Sequence, residues 1–265
     1  MWWVAYQNKV STHHIFYHHF LIVMRRYFVF SLLFMLLLLT CCQQQVNEPL
    51  STPERDSISL RVALLPTKGC QPFINAQKAG IYDSLGLRVE FTTYNSQFDC
   101  DTALLNGHVS VAVTDTLRMR LYQKHHLQNI MPIAESWSLV VGREAKAKHL
   151  TQIGNYTLAT SRRSASEYYS CLALHRARLD FDTIFHPQVN NLQLRANMLL
   201  ASQVYAAMLP EPIATEVCQA GCRRLYTSPL NDSTVSCLAC LPHGIKKDEQ
   251  TLLIKGYKIA LSREK

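Results

Sequence analysis

The chain has 265 residues, 48% of them hydrophobic, enough for one large domain or two small ones around a real core. Its 27 basic and 19 acidic side chains give a formal charge of +8, but residues 1–41 carry Lys9, Arg25 and Arg26 and no acid, leaving 24 basic against 19 acidic beyond them. No Lys/Arg block interleaved with aromatics stands out, which argues against nucleic-acid binding. The modest positive balance reads mostly as solvated surface and mildly favours an anionic partner.

Arg25 and Arg26 precede a strongly apolar run over 27–39, followed by Thr40-Cys41-Cys42. A charged start, this hydrophobic length and a small-residue exit describe a secretory signal; a spanning helix needs roughly twenty apolar residues. Leu38-Leu39-Thr40-Cys41 resembles a bacterial lipobox, with Cys41 as the lipidated residue, although Thr40 stands where Gly, Ala or Ser is usual. The competing reading is an uncleaved anchor. Met24 starts a conventional signal by itself, so residues 1–23, with their His13-His14 and His18-His19 pairs, read as an over-extended start. Residues 42–58 are polar with Pro49 and Pro53 and read as a flexible tether.

The ordered pattern begins with an apolar strand over 60–65, broken by Pro66-Thr67-Lys68-Gly69. Pro72 opens a helix whose apolar face is Phe73, Ile74, Ala76 and Ala79, and Gly80 closes it. A strand over 87–91 follows Gly86. After a polar loop over 94–99, Asp99 is expected to cap a helix over 100–106. Next come a strand over 109–113, a helix over 117–124 capped by Thr114-Asp115-Thr116, and strands over 130–134 and 138–141. Glu135, Ser136 and Trp137 separate the last two.

A second β/α set starts with a strand over 156–159 and the polar loop Thr160-Ser161-Arg162-Arg163. Ser164 and Glu167 have capping-box spacing before a helix over 168–178. A strand over 183–185, a helix over 192–200 and a strand over 204–209 ending in Pro210-Glu211-Pro212 come next. The rest is a helix over 213–219, strands at 225–226 and 234–241, and an amphipathic helix over 248–261. Two β/α sets joined by short strands imply an α/β fold of two lobes with a cleft. The expected division is 59–136 with 233–265 for lobe I, and 137–232 for lobe II.

The series of a strand ending L-P, then K-A-G-I-Y, G-L-x-V-E-F, V-x-V-A-V-T-D and A-A-M-L-P-E-P-I-A-T-E covers 60–265 in element order. It resembles type II periplasmic solute-binding proteins, in the branch serving nitrate, sulfonates, taurine and thiamine-precursor pyrimidines. The resemblance implies two lobes that close on a small polar or anionic solute and pass it to an ABC permease. It also implies a monomer without cofactor or metal, held in the periplasm by a lipid anchor. The chain ends after one helix beyond the last strand, where such proteins usually continue, which leaves a truncated variant open.

On that resemblance the ligand residues are Thr67, Lys68, Tyr94, Asn95, Gln97, Thr114, Asp115, Trp137, Ser161, Arg162, Ser164, Ser166 and Glu211. The residues themselves support part of this set. A helix start at 164–166 beside Arg162 and Arg163 is an anion site, with one arginine at most expected to reach the ligand. Tyr94, Trp137 and Tyr168 either stack on a flat solute or pack the core. Glu211 either binds an amine or caps and braces the lobe junction.

Nine cysteines in an oxidising compartment tend to pair. Cys70 and Cys100, both following first-lobe strands, form the expected disulfide. Cys218, Cys222, Cys237 and Cys240 have the spacing of a zinc site, but a disulfide between the pairs or buried free thiols are the stronger readings. The enzymes on this architecture, a thiamine pyrimidine synthase and menaquinone-pathway lyases, are the alternative function. Both work in the cytoplasm, contrary to the signal segment, and no Ser/His/Asp arrangement, P-loop or HExxH occurs. A sensory module is the third reading.

Overall fold

The computed structural model describes residues 60–229 and 233–263. The expected signal segment, Cys41 and the tether over 42–58 lie outside the described residues. Among those described, no helix is long and apolar enough to cross a membrane.

Two sheets organise the molecule. The first contains β1 (Leu60–Leu64), β2 (Val89–Thr93), β3 (Val111–Asp115), β4 (Gln128–Pro132) and β9 (Ser236–Cys240), in the order β2-β1-β3-β9-β4. The second contains β5 (Trp137–Val141), β6 (Leu158–Ala159), β7 (Ala206–Pro210) and β8 (Arg223–Thr227), in the order β6-β7-β5-β8. Strands β1, β2 and β3 run parallel, as do β6 and β7, whereas β9 and β5 each insert antiparallel beside the last parallel strand. The chain passes from the first sheet to the second between β4 and β5 and returns between β8 and β9. Strands β3, β5, β7 and β9 are buried along their whole length, as central strands covered on both faces must be.

The helices are α1 (Gln71–Lys78), α2 (Ile81–Ser84), α3 (Gln97–Leu105), α4 (Thr116–Leu121), α5 (Ala165–Arg176), α6 (Leu192–Leu200), α7 (Ile213–Gln219) and α8 (Lys247–Arg263). Helix α8 packs on α1 and α2 because Gly256 lets it approach the buried Tyr82; a Cβ there would strike the ring. Tyr257 on the same helix lies 4.5 Å from Phe73, centroid to centroid, and donates to Gly69 O at 3.1 Å. The last helix therefore braces the turn after β1.

Several expectations are corrected. Helix α3 begins at Gln97, capped by Ser96, whose Oγ accepts from Asp99 N at 3.1 Å, so Asp99 is inside the helix. Both Ser96 and Asp99 are good caps, and the earlier one adds a turn. Helix α5 begins at Ala165; Ser164 stands at the cap position but spends its hydroxyl on Ser161 O, and Glu167 accepts from Arg163 N. The strand expected over 183–185 is a 3-10 turn, Phe181–Thr183, with only an isolated bridge from Phe185 to Thr157. The Cys70–Cys100 disulfide is not formed: both are free, buried thiols, with burial pushing Cys70 up to about 12. Cys218 and Cys222 belong to the second lobe and Cys237 and Cys240 to β9 in the first. All four are free, and no group of three metal-ligating side chains converges among the described residues.

Candidate functional site

The parallel strands of both sheets end on one cleft. Leu65 and Thr67 follow β1, Asp115 ends β3, and Ser236, its register partner, opens β9. From the other side come Trp137 at the start of β5, Ser161 after β6, Ser164 to Ser166 at the start of α5, and Leu192 and Arg195 on α6. This is where ligands sit in open α/β sheets. The cleft is shut: the centre of a water molecule can occupy only about 20 Å³ within it. Hydrogen bonds join the lobes from Ala165 N to Asp115 Oδ2 at 2.7 Å, from Lys68 N to Glu211 O at 2.7 Å, and from Leu192 N to Asn95 O at 2.7 Å.

Two carboxyl groups dominate the first-lobe wall. Glu135, in the crossover between β4 and β5, is 3% exposed; Thr67 Oγ1 donates to its Oε1 at 2.6 Å and Gly69 N–H also holds it. Gly69 has no alternative here, since a Cβ would lie 2.9 Å from Glu135 Oε1 and 2.7 Å from Ile133 Cγ2. Asp115 is 2% exposed and reaches across the cleft to Ala165 N. Behind it, Asp101 accepts from Gln97, Thr114 and Arg118, a network that fixes the end of β3.

Burial pushes the Glu135 carboxyl up to about 8; Thr67 opposes this and the Asp115 charge adds to it. Burial likewise raises Asp115 to about 7 against the pull of the Ala165 N–H, with Asp101 raising it further and Arg118 lowering it. One oxygen of each carboxyl, Asp115 Oδ1 and Glu135 Oε2, has no hydrogen-bond partner, and neither has the Trp137 indole nitrogen.

The second-lobe wall, Trp137 apart, is largely satisfied within itself. Ser161 N donates to Ser166 Oγ at 2.8 Å, Ser161 Oγ to Asn190 Oδ1 at 2.9 Å, and Ser164 Oγ to Ser161 O at 2.6 Å. Arg195 is fully buried and binds Val189 O through Nε and Nη2 and Met208 O through Nη1, tying α6 to β7. Burial lowers its guanidinium to about 9.

Of the residues expected from the sequence, Thr67, Gln97, Asp115, Trp137, Ser161, Ser164 and Ser166 line the cleft. Thr114 lies behind it, donating to Asp101, and Lys68 and Asn95 take part through their backbones while their side chains are exposed. Arg162 is exposed and not on the lining, and the helix start expected to bind an anion holds Asp115 instead. Glu211 takes the bracing role: it accepts from Thr215 N and Oγ1 and pairs with Arg224 at 2.7 Å. Trp137 stacks on Tyr169 with centroids 6.3 Å apart, whereas Tyr94 packs against the core and Tyr168 is 41% exposed.

Glu135, Arg195, Asn190 and Ser236 are cleft residues the sequence reasoning passed over. Arg195 carried a signal, because α6 buries Leu192, Arg195, Ala196 and Leu199, a spacing that puts the arginine on the inward stripe. Glu135 carried a weaker one, a lone acid between two apolar strands.

No protein-family model matches the chain, and no curated protein matches it in sequence. Solved structures do. The zinc-bound ligand-binding component of an ABC-type import system from Staphylococcus aureus is similar at 16% identity and a TM-score of 0.65, over 76% of this chain and 72% of that one. The alkanesulfonate-binding protein from Xanthomonas axonopodis pv. citri, bound to MOPS, gives 14% and 0.65 over 77% and 74%. A Candida albicans protein described as having the generic periplasmic binding protein fold gives 16% and 0.61 over 77% and 71%. At these identities the likeness establishes the fold, a two-lobed α/β periplasmic-binding-protein architecture.

Proposed function

We propose that this chain is an extracytoplasmic solute-binding protein, anchored through Cys41, that captures a small polar solute between its lobes for an ABC permease. The observation that carries the reading is the shut cleft, with polar groups from the strand ends of both sheets facing one small space. The hydrogen bonds across it form only when the lobes meet, as a hinge-closing clamp requires. Neighbours of the same fold whose descriptions name import or sulfonate binding agree with the role.

Binding rather than catalysis is supported by the state of the cleft hydroxyls. Ser161 and Ser164 donate to an amide oxygen and a backbone carbonyl, not to a base that would make either a nucleophile. A thermal-shift screen of the full chain against sulfonates, nitrate, taurine, pyrimidines and small amines tests the reading. At least one solute should raise Tm by several degrees; no shift with any of them overturns it.

A further inference from the structure

We propose that the cleft selects its solute through an ammonium group, seated between Asp115 Oδ1 and Glu135 Oε2. The inference rests on the solute-binding reading and narrows it. Both oxygens belong to side chains at least nine-tenths buried, and neither has a partner. Leaving a buried acceptor unpaired costs about 1–3 kcal/mol, so native proteins rarely do it. Two such oxygens, on side chains that line the same cleft, mark the seat of a donor from outside the chain.

Apart from the Trp137 indole N–H, the main donors an anion would use are already committed. The α5 N-terminal N–H of Ala165 is held by Asp115, the Ser161 and Ser164 hydroxyls point at internal acceptors, and each Arg195 nitrogen binds a carbonyl. Charge points the same way. The charged groups on the lining are Asp115, Glu135 and Arg195, so with both carboxyls ionised the cleft carries one net negative charge, which one ammonium neutralises. A bare metal ion fits poorly, since no group of three metal-ligating side chains converges among the described residues. Leu65, Leu192 and the Trp137 ring supply an apolar wall for a short carbon body, and the free indole N–H can donate to an acceptor on it.

Protons follow from the same geometry. The groups acting on the two carboxyls are Asp101 and Arg118 behind Asp115, Asp115 itself on Glu135, and the neutral thiols Cys70 and Cys237 beside them. In the empty cleft burial keeps the carboxyls protonated toward pH 6, and an ammonium must displace those protons.

Isothermal titration of the full chain with ethylammonium chloride, sodium methanesulfonate and zinc chloride, at pH 6 and 8 and in buffers of different ionisation heat, tests this. Ethylammonium should bind, more tightly at pH 8, and release protons. Asp115→Asn and Glu135→Gln should each weaken it by at least about tenfold. Should either variant fail to fold, proton release by the wild type decides. Binding of methanesulfonate or zinc without ethylammonium overturns the ammonium seat and leaves a solute-binding protein. Silence toward these three and toward every solute of the wider screen overturns the solute-binding reading itself.

Discussion

The two walls of the cleft differ in what they leave undone. On the second lobe, Ser161, Ser164, Asn190 and Arg195 direct their hydrogen bonds into the wall itself, so apart from the Trp137 indole N–H that side is finished before anything arrives. On the first lobe, Thr67 and Gly69 hold one face of Glu135, Ala165 holds one oxygen of Asp115, and the other oxygen of each is empty. One wall supplies shape and the other supplies demand. Changes on the second wall should therefore cost stability, and changes on the first should alter binding and its pH dependence.

The largest effect expected is on the finished wall. Arg195→Leu strands the carbonyls of Val189 and Met208 in the core and should cost about 2–5 kcal/mol in urea denaturation. A cost near zero would mean the guanidinium is held for a ligand instead. Gly69→Ala should follow at about 1–3 kcal/mol, because the new Cβ meets fixed backbone and the Glu135 carboxyl, and it should weaken solute binding as well.

The pH dependence separates the walls most cleanly. Asp115 and Glu135 have folded-state values of about 7 and about 8, above those of an unfolded chain, so the folded protein binds the extra protons. Their contribution to stability is full below the ordinary carboxylate range and is lost as pH rises through about 7 to 8. Melting of the solute-free protein should show Tm falling from above the ordinary carboxylate range up to about pH 8 and levelling off beyond it. Glu135→Gln should flatten the upper part of the fall, and an unchanged slope would count against its burial as a titrating group.

Smaller effects complete the contrast. Ser161→Ala removes a buried hydroxyl from the second wall and should cost about 1 kcal/mol of stability without changing which solute binds. Arg162→Ala, at an exposed position outside the cleft, should change stability by no more than about 0.5 kcal/mol and leave affinity as it was.

The strands were legible because central strands are short apolar runs with turn residues beyond them, as at Leu60–Leu64 and Val111–Asp115. Helix starts were less so. Ser96 and Asp99 compete for one cap, and the structure gives it to Ser96, the earlier of the two. In the site, Thr67, Asp115, Ser161 and Ser164 were named through the family resemblance, and the helix start at Ser164 was the part readable from the residues themselves. What Asp115 holds was not, because its partner lies fifty residues away across the cleft. Glu135 escaped notice for the same reason: its role depends on a turn from the other end of the first lobe approaching it, which Gly69 allows.

The hydrogen bonds that join the lobes across the cleft make the central claim directly measurable, since a hinge-closing clamp must break them to admit a solute. Spin labels at Phe98 on α3 and Leu194 on α6, both about half exposed and on opposite lobes, report the separation by pulsed electron resonance. The account predicts a broad or divided distance distribution without solute, collapsing to one short distance when a binding solute is added. A single distance that no solute changes would contradict it.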